Sequence, residues 1–248
     1  MKKGHSQLRV RQEQATDCHV CPIRDLALFE AVKEDLLDWT QQFRTHQYAL
    51  DARRHLYREG EVIDESYTLF QGWVMLYKTL EDNKRQVLCY ALPGDFLGSC
   101  GNNGVPVDHS AVAITDSILC GFPGEPLMEL LSQRPEIGIK LLCLQQRDQG
   151  RCFNHIMSMG QKNATESVAF MLIELYDRCH ECNLSVDSRD CFFPLSQEEI
   201  ADYAGITLVH VSRVMKDLRN QGVLDNRHRK IYILDVDALR RIANIKSS

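Results

Sequence analysis

Residues 195–224 read LSQEEIADYAGITLVHVSRVMKDLRNQGVL. Ser196 is followed three residues later by Glu199, the spacing of a capping box, in which a hydroxyl and a carboxylate satisfy free backbone N–H groups at a helix start. Gly205 ends that short helix. Thr207 is placed to cap a second one running to about Asn220, and Gly222 stops it. A short helix, a glycine turn and a second helix spell a helix-turn-helix. Ala201 falls where the two helices would cross and needs a small side chain, and Val211 faces inward ten residues on.

On the second helix Val211, Val214, Met215 and Leu218 recur at helical spacing and are expected to pack inward. Val209, His210, Ser212, Arg213 and Lys216 fall on the other side, toward the N-terminal half that enters a major groove. Arg213 suits a guanine O6 and N7 pair, while Val209 offers only apolar contact, such as with a thymine methyl. Ser212 and Lys216 suit phosphates, and His210 suits a base, a phosphate or plain solvent. Downstream, VLDNRHRKIYILD (223–235) places two apolar strands around a basic turn, Asn226–Lys230. That is a β-wing, with Arg229 near phosphates.

The 248-residue chain has a net charge of −5, so it is not basic overall. Between Thr207 and Lys230, however, Arg213, Lys216, Arg219, Arg227, Arg229 and Lys230 face only Asp217 and Asp225. Charge alone favours a solvated helix face. Charge together with caps, turn and inward residues points to a module that reads DNA, attached to something else.

The remainder supplies that something else. Residues 1–17 are polar, and LALFEAVKEDLLDWTQQF (26–43) suggests one or two short amphipathic helices. From Tyr48 to Phe122, short β-rich segments alternate with turns at Glu59–Gly60, Glu81–Asn83 and Pro93–Gly94, which argues for an all-β barrel or sandwich. Leu127 to Met159 reads as helical with one break at Pro135, and Ile137, Leu141, Leu144, Cys152, Ile156 and Met159 recur at three- and four-residue steps. So long a helix suits packing on its twin in a dimer; the other arrangement is packing on its own barrel. Thr165 to Cys182 forms a further helix. The expected class is α+β. A cysteine-bearing segment (1–22) precedes a sensory β-barrel (23–125), a dimerisation helix (126–160) and a winged helix-turn-helix (161–248). No apolar run reaches bilayer length and the N-terminus has no apolar signal core, so a cytoplasmic protein is expected, with no membrane partner and its ten cysteines mostly reduced.

A barrel segment LPGDFLGS (92–99), the helix start LSQEEIADYAG and the run VSRVMKDLRNQGVL together resemble the Crp/Fnr family of bacterial transcription regulators, over nearly the whole chain. The resemblance implies that the barrel is a jelly roll like a cyclic nucleotide-binding domain. It also implies a homodimer on an inverted-repeat promoter site, a barrel or N-terminus that senses a signal, and contact with RNA polymerase. Two departures stand out. Where cAMP-binding members carry a glutamate and, ten residues on, an arginine, this chain has Ser99 and His109, although the following Ser110 is retained. Without the arginine there is no fixed cation or bidentate donor for a cyclic phosphate, so cAMP is not expected. The pocket is then vestigial or takes another small molecule, with the cysteines merely structural. The second departure is Val209, where many members place a glutamate, so the half-site should differ at the corresponding base pair.

The Fnr branch senses oxygen through a [4Fe–4S] cluster on four cysteines. In DCHVCPIRDLALF (17–29) Cys18 and Cys21 match two of them, and Cys120 in SILCGFP matches the barrel ligand. The third N-terminal position falls near Ala27 and lacks a thiol. The resemblance thus leaves room for a cluster completed by an Asp, a His or an exogenous ligand. A thiol redox switch at Cys18 and Cys21, a zinc site and inert thiols stay open beside it. Cys179 and Cys182 flank His180 in CHEC but lack a second half. Cys89, Cys143, Cys152 and Cys191 lie in apolar stretches and are expected in the core. With no glycine-rich phosphate loop, nucleophile motif or His-x-His pair, an enzyme is not expected. The expectation is a DNA-binding regulator responding to oxygen or redox state.

Overall fold

A computed structural model describes residues 7–11, 15–98, 104–182, 192–227 and 230–245. The chain divides into two compact units, Met1–Lys78 with Cys89–Asp148, and Thr79–Leu88 with Gln149–Ser248.

The strands in chain order are β1 (Arg9–Val10), β2 (Gln47–Leu50), β3 (His55–Tyr57), β4 (Glu65–Gln71), β5 (Val74–Thr79), β6 (Arg85–Ala91), β7 (Phe96–Leu97), β8 (Ser110–Ala113) and β9 (Ser117–Pro123). They form a five-stranded sheet, β1-β2-β9-β4-β7, and a four-stranded sheet, β3-β8-β5-β6. The expected turn residues perform as such: Gly60, Asn83 and Gly94 all have positive φ, a conformation that glycine and asparagine adopt at low cost. The period of two sets the two faces of β9. Leu119 joins Leu50, Leu69, Val74 and Ala111 in one core cluster, whereas its neighbours Cys120 and Phe122 belong to a second.

That second cluster is covered by the N-terminal segment, where the expected amphipathic helices do not form. Short 3-10 turns at Cys18–Val20, Arg24–Leu26, Leu28–Ala31 and Glu34–Leu36 lead into a single helical turn, α1 (Leu37–Thr40). Ala27, Leu28 and Phe29 are all buried. Three consecutive residues cannot share one stripe of an α-helix, so burying them against a sheet face favours tighter, irregular turns.

Two helices follow β9, α2 (Gly124–Gln133) and α3 (Pro135–Gln161), with Pro135 at the first position of α3, where its missing N–H costs nothing. Ile137, Leu141 and Leu144 are buried, while Ile139, Leu142, Phe153, Ile156, Met157 and Met159 are exposed. Cys143 and Cys152 are exposed too, contrary to the expectation of core thiols. Apolar residues run round more of α3 than its covered stripe uses. Cys89 is half-buried, and Cys191 lies outside the described residues.

The second unit contains α4 (Ala164–Glu181), β10 (Phe192–Phe193), α5 (Gln197–Ala204), α6 (Leu208–Asn220), β11 (Leu224–Arg227), β12 (Lys230–Ile233) and α7 (Val236–Ile242). Its sheet has the order β10-β12-β11. A continuous run of α4, Ser167 to Ile173, is buried in the unit's core. The His155 ring stacks on Tyr203 of α5 at 3.8 Å, and its Nε2 lies 2.8 Å from the Tyr203 carbonyl oxygen. Arg85 donates to Asp202 at 2.7 Å, which also steadies α5.

Candidate nucleic-acid interface and thiol cavity

The helix-turn-helix is built by its own caps. Ser196 Oγ accepts from the Glu199 N–H, and the Glu199 carboxylate accepts from the Ser196 N–H at 2.7 Å, completing the capping box. Gly205 takes φ +67° and closes α5 with its N–H on the Ala201 carbonyl. Beyond it, Thr207 Oγ1 accepts from the His210 N–H and opens α6. Val211, Val214, Met215 and Leu218 are buried. Val209, His210, Ser212, Arg213 and Lys216 are all exposed, with Val209 at 59%. The buried stripe fixes the helix's rotation, and the polar, basic face is left to solvent.

β11 and β12 pair antiparallel, from Leu224 opposite Ile233 to Arg227 opposite Lys230. In this wing Arg227 pairs with Asp225, and the Lys230 ammonium sits 3.8 Å from the centre of the Phe192 ring. Arg229 lies outside the described residues.

In the first unit, Cys18, Cys21 and Cys120 line one cavity of about 30 Å³. Residues far apart in the chain meet there because β9 runs between β2 and β4. Gln47 and Thr68 are the register partners of Cys120 on either side. The Gln47 side chain is oriented by its oxygen, which accepts from Arg11 Nη1 at 3.0 Å and from the Thr16 N–H at 3.2 Å. Its Nε2 then donates to Cys120 Sγ at 3.5 Å. Arg44 Nη1 donates to the same sulfur at 3.9 Å. Burial pushes the Cys18 thiol up to about 11, against the pull of the Arg44 cation, and burial also raises Cys21.

Both units have counterparts among known proteins. Residues 166–242 match the Crp-like helix-turn-helix domain, and residues 49–134 match the cyclic nucleotide-binding domain. The chain belongs to the Crp/Fnr family. It is 30% identical over 209 residues to the transcriptional activator protein FnrL of Cereibacter sphaeroides, covering 84% of this chain and 83% of that one. It is 32% identical over 195 residues to the nitrogen fixation regulation protein FixK of Rhizobium meliloti, covering 77% and 84%. The structure of FixK2 from Bradyrhizobium japonicum superposes with a TM-score of 0.71 at 27% identity, over 81% of this chain and 98% of that chain.

For this Crp/Fnr-family chain the Fnr-type cluster can be tested against the cavity. A [4Fe–4S] cluster takes four ligands. Three thiols line the cavity, and Ala27 lines it at the position where the fourth thiol is expected. Among the described residues neither an Asp nor a His lines it to make up the set. Among the same residues no three His, Cys, Asp or Glu side chains stand close enough to hold a metal ion, which covers CHEC as well. The residues present do not fit a four-ligand cluster.

Of the barrel positions compared with the cAMP-binding members, Ser99 lies outside the described residues. His109 is held between Asp108 Oδ1 at 2.7 Å and the buried Tyr57 hydroxyl at 3.0 Å. Ser110 Oγ accepts from the Glu59 N–H at 3.0 Å. Both side chains are engaged within the protein. Sequence reasoning missed Arg44, Gln47 and Thr68. No local motif marks them; only the pairing register of β9 with β2 and β4 brings them to Cys120. No helix among the described residues is long and apolar enough to cross a membrane.

Proposed function

We propose that this protein is a homodimeric, sequence-specific DNA-binding transcription regulator that responds to oxygen or redox state. The observation that carries the DNA reading is α6: a buried aliphatic stripe beneath an exposed face bearing Arg213 and Lys216. Val209, His210, Ser212, Arg213 and Lys216 enter a major groove. Arg213 reads a base edge, the Ser212 and Lys216 side chains contact phosphates, and Arg229 of the wing adds another phosphate contact. Val209 contributes apolar contact only, so discrimination at its base pair rests on a methyl group.

Dimerisation runs through α3. Ile139, Leu142, Phe153 and Ile156 leave an apolar face uncovered by their own chain, and a parallel twin helix covers it with two-fold symmetry. The two reading helices then address an inverted repeat. RNA polymerase is the further partner that the family implies. The redox input is assigned to Cys18, Cys21 and Cys120, three thiols on one cavity, rather than to a four-ligand cluster.

Binding selection from a randomised duplex pool, followed by titration at several salt concentrations, tests this reading. The selected site should be an inverted repeat, and affinity should fall steeply with salt. Arg213→Ala should lose about 1–3 kcal/mol per half-site and relax preference at one base pair. Binding unchanged by Arg213→Ala and insensitive to salt would remove α6 as the reading helix.

A further inference from the structure

We propose that the cavity between the N-terminal turns and β9 is a hydrogen peroxide site. In it Cys120 is the attacking sulfur, Arg44 and Thr68 hold the peroxide, and Cys18 or Cys21 closes a disulfide. This deepens the redox reading above and rests on it.

The first observation is an unused polar group. Thr68 is 3% exposed and lines the cavity, yet its Oγ1 has no hydrogen-bond partner. A buried hydroxyl without a partner is unfavourable, and in a native protein it points to strain, a redox or catalytic role, or a small polar molecule beside it. Thr68 is the cross-strand neighbour of Cys120, so both side chains leave the sheet on the same side. A ligand that the hydroxyl can bond lies beside that sulfur.

The second is size. A cavity of about 30 Å³ has room for about two water-sized molecules. Hydrogen peroxide, two bonded oxygens, matches it. Besides Arg24 and Arg44 the rest of the wall is apolar, with Ile23, Ala27, Leu28, Phe29 and Phe122.

The third is the division of labour among the thiols. Gln47 Nε2 and Arg44 Nη1 both donate to Cys120 Sγ, and donors on sulfur stabilise the charge it carries as it attacks. Cys18 and Cys21 are held as neutral thiols by burial, which suits the second, trapping role.

The chemistry balances. The Cys120 sulfur attacks one peroxide oxygen and the O–O bond breaks. The departing oxygen leaves as water with the thiol proton and the proton it already carried, and Cys120 becomes a sulfenic acid. The sulfur of Cys18 or Cys21 then attacks the sulfenic sulfur, and the hydroxyl leaves as a second water, taking the proton of the attacking thiol. Two thiols lose two electrons, one peroxide gains them, and the product is a disulfide with two waters.

The test uses the reduced full-length protein with less than one equivalent of hydrogen peroxide, then alkylation and peptide mapping. The expected product is a disulfide joining Cys120 to Cys18 or Cys21. In a Cys18→Ser, Cys21→Ser background, dimedone should label Cys120 instead. Thr68→Val should slow the reaction roughly a hundred- to a thousandfold, as removing one preorganised donor does, while Thr68→Ser keeps it. Oxidation of the exposed Cys143 and Cys152 with Cys120 still reduced would overturn the proposal, as would a Thr68→Val variant that reacts at the original rate. DNA binding measured on the same samples separates the two readings. A Cys120 disulfide that leaves binding unchanged keeps the peroxide site and removes redox control of the promoter. Binding that responds to air with Cys120 reduced does the reverse.

Discussion

Replacing Thr68 by valine should make the protein more stable while making it less reactive. The hydroxyl is 3% exposed and has no partner. A buried, unsatisfied polar group costs about 1–3 kcal/mol, and swapping it for a methyl removes that cost at nearly constant volume. The cavity can admit a water that offsets part of the cost, so the expected gain lies at the low end, about 1 kcal/mol. For a chain of this length that corresponds to roughly 2–4 °C in Tm. Differential scanning calorimetry and urea titration of the reduced protein, with Thr68→Ser beside Thr68→Val, measure it. Serine keeps the hydroxyl and should not share the gain. If Thr68→Val is instead less stable by about 1 kcal/mol, the usual worth of a hydrogen bond, the hydroxyl is already bonded in the resting protein and does not await a ligand.

The other surfaces of the molecule are open to equally direct trials. Leu142→Glu places a carboxylate on the uncovered face of α3, and sedimentation should show a monomer that binds full operator far more weakly than the native protein. Lys216→Ala should weaken binding evenly across sequences and reduce the slope of log affinity against log salt by about 0.9 for each phosphate the lysine had neutralised. The Glu174 carboxyl is pushed above its usual range by burial, against the pull of Arg178 and Arg151. The folded state therefore holds that proton more tightly than the unfolded state, and stability is lost as pH rises from the ordinary glutamate pKa through the raised one. Glu174→Gln should flatten that slope in pH-dependent urea melts and be the more stable form at neutral pH. Ala27→Cys supplies a fourth thiol to the cavity, and anaerobic reconstitution with iron and sulfide should give the variant a stoichiometric cluster absorbance that the native protein does not develop.

The reading module was legible because its signals are local. Ser196 and Glu199, Gly205 and Thr207 each act on backbone within four residues, so sequence spacing is enough to place them. The barrel was legible for a similar reason, since turns and alternation both act over a few residues. The segment from Cys18 to Phe43 was not. Its apolar content suggested a helix, but the contiguous burial of Ala27, Leu28 and Phe29 is imposed by the sheet beneath, which no window on the segment reports. Cys143 and Cys152 misled in the opposite sense, because an apolar neighbourhood in sequence on α3 is not a buried one. The cavity was half visible. Resemblance pointed to Cys18, Cys21 and Cys120, yet Arg44, Gln47 and Thr68 became evident only with the register of β9.

Ala27 sets the chemical character of that cavity's wall. It lines the same space as the three thiols and is 7% exposed. A plain methyl group therefore stands where a thiol would complete a set of four sulfur ligands. The barrel interior around Leu69 and Leu119 belongs to a core cluster that does not include Ala27. An exchange at this one position would alter the chemistry of the chamber and leave that packing as it is.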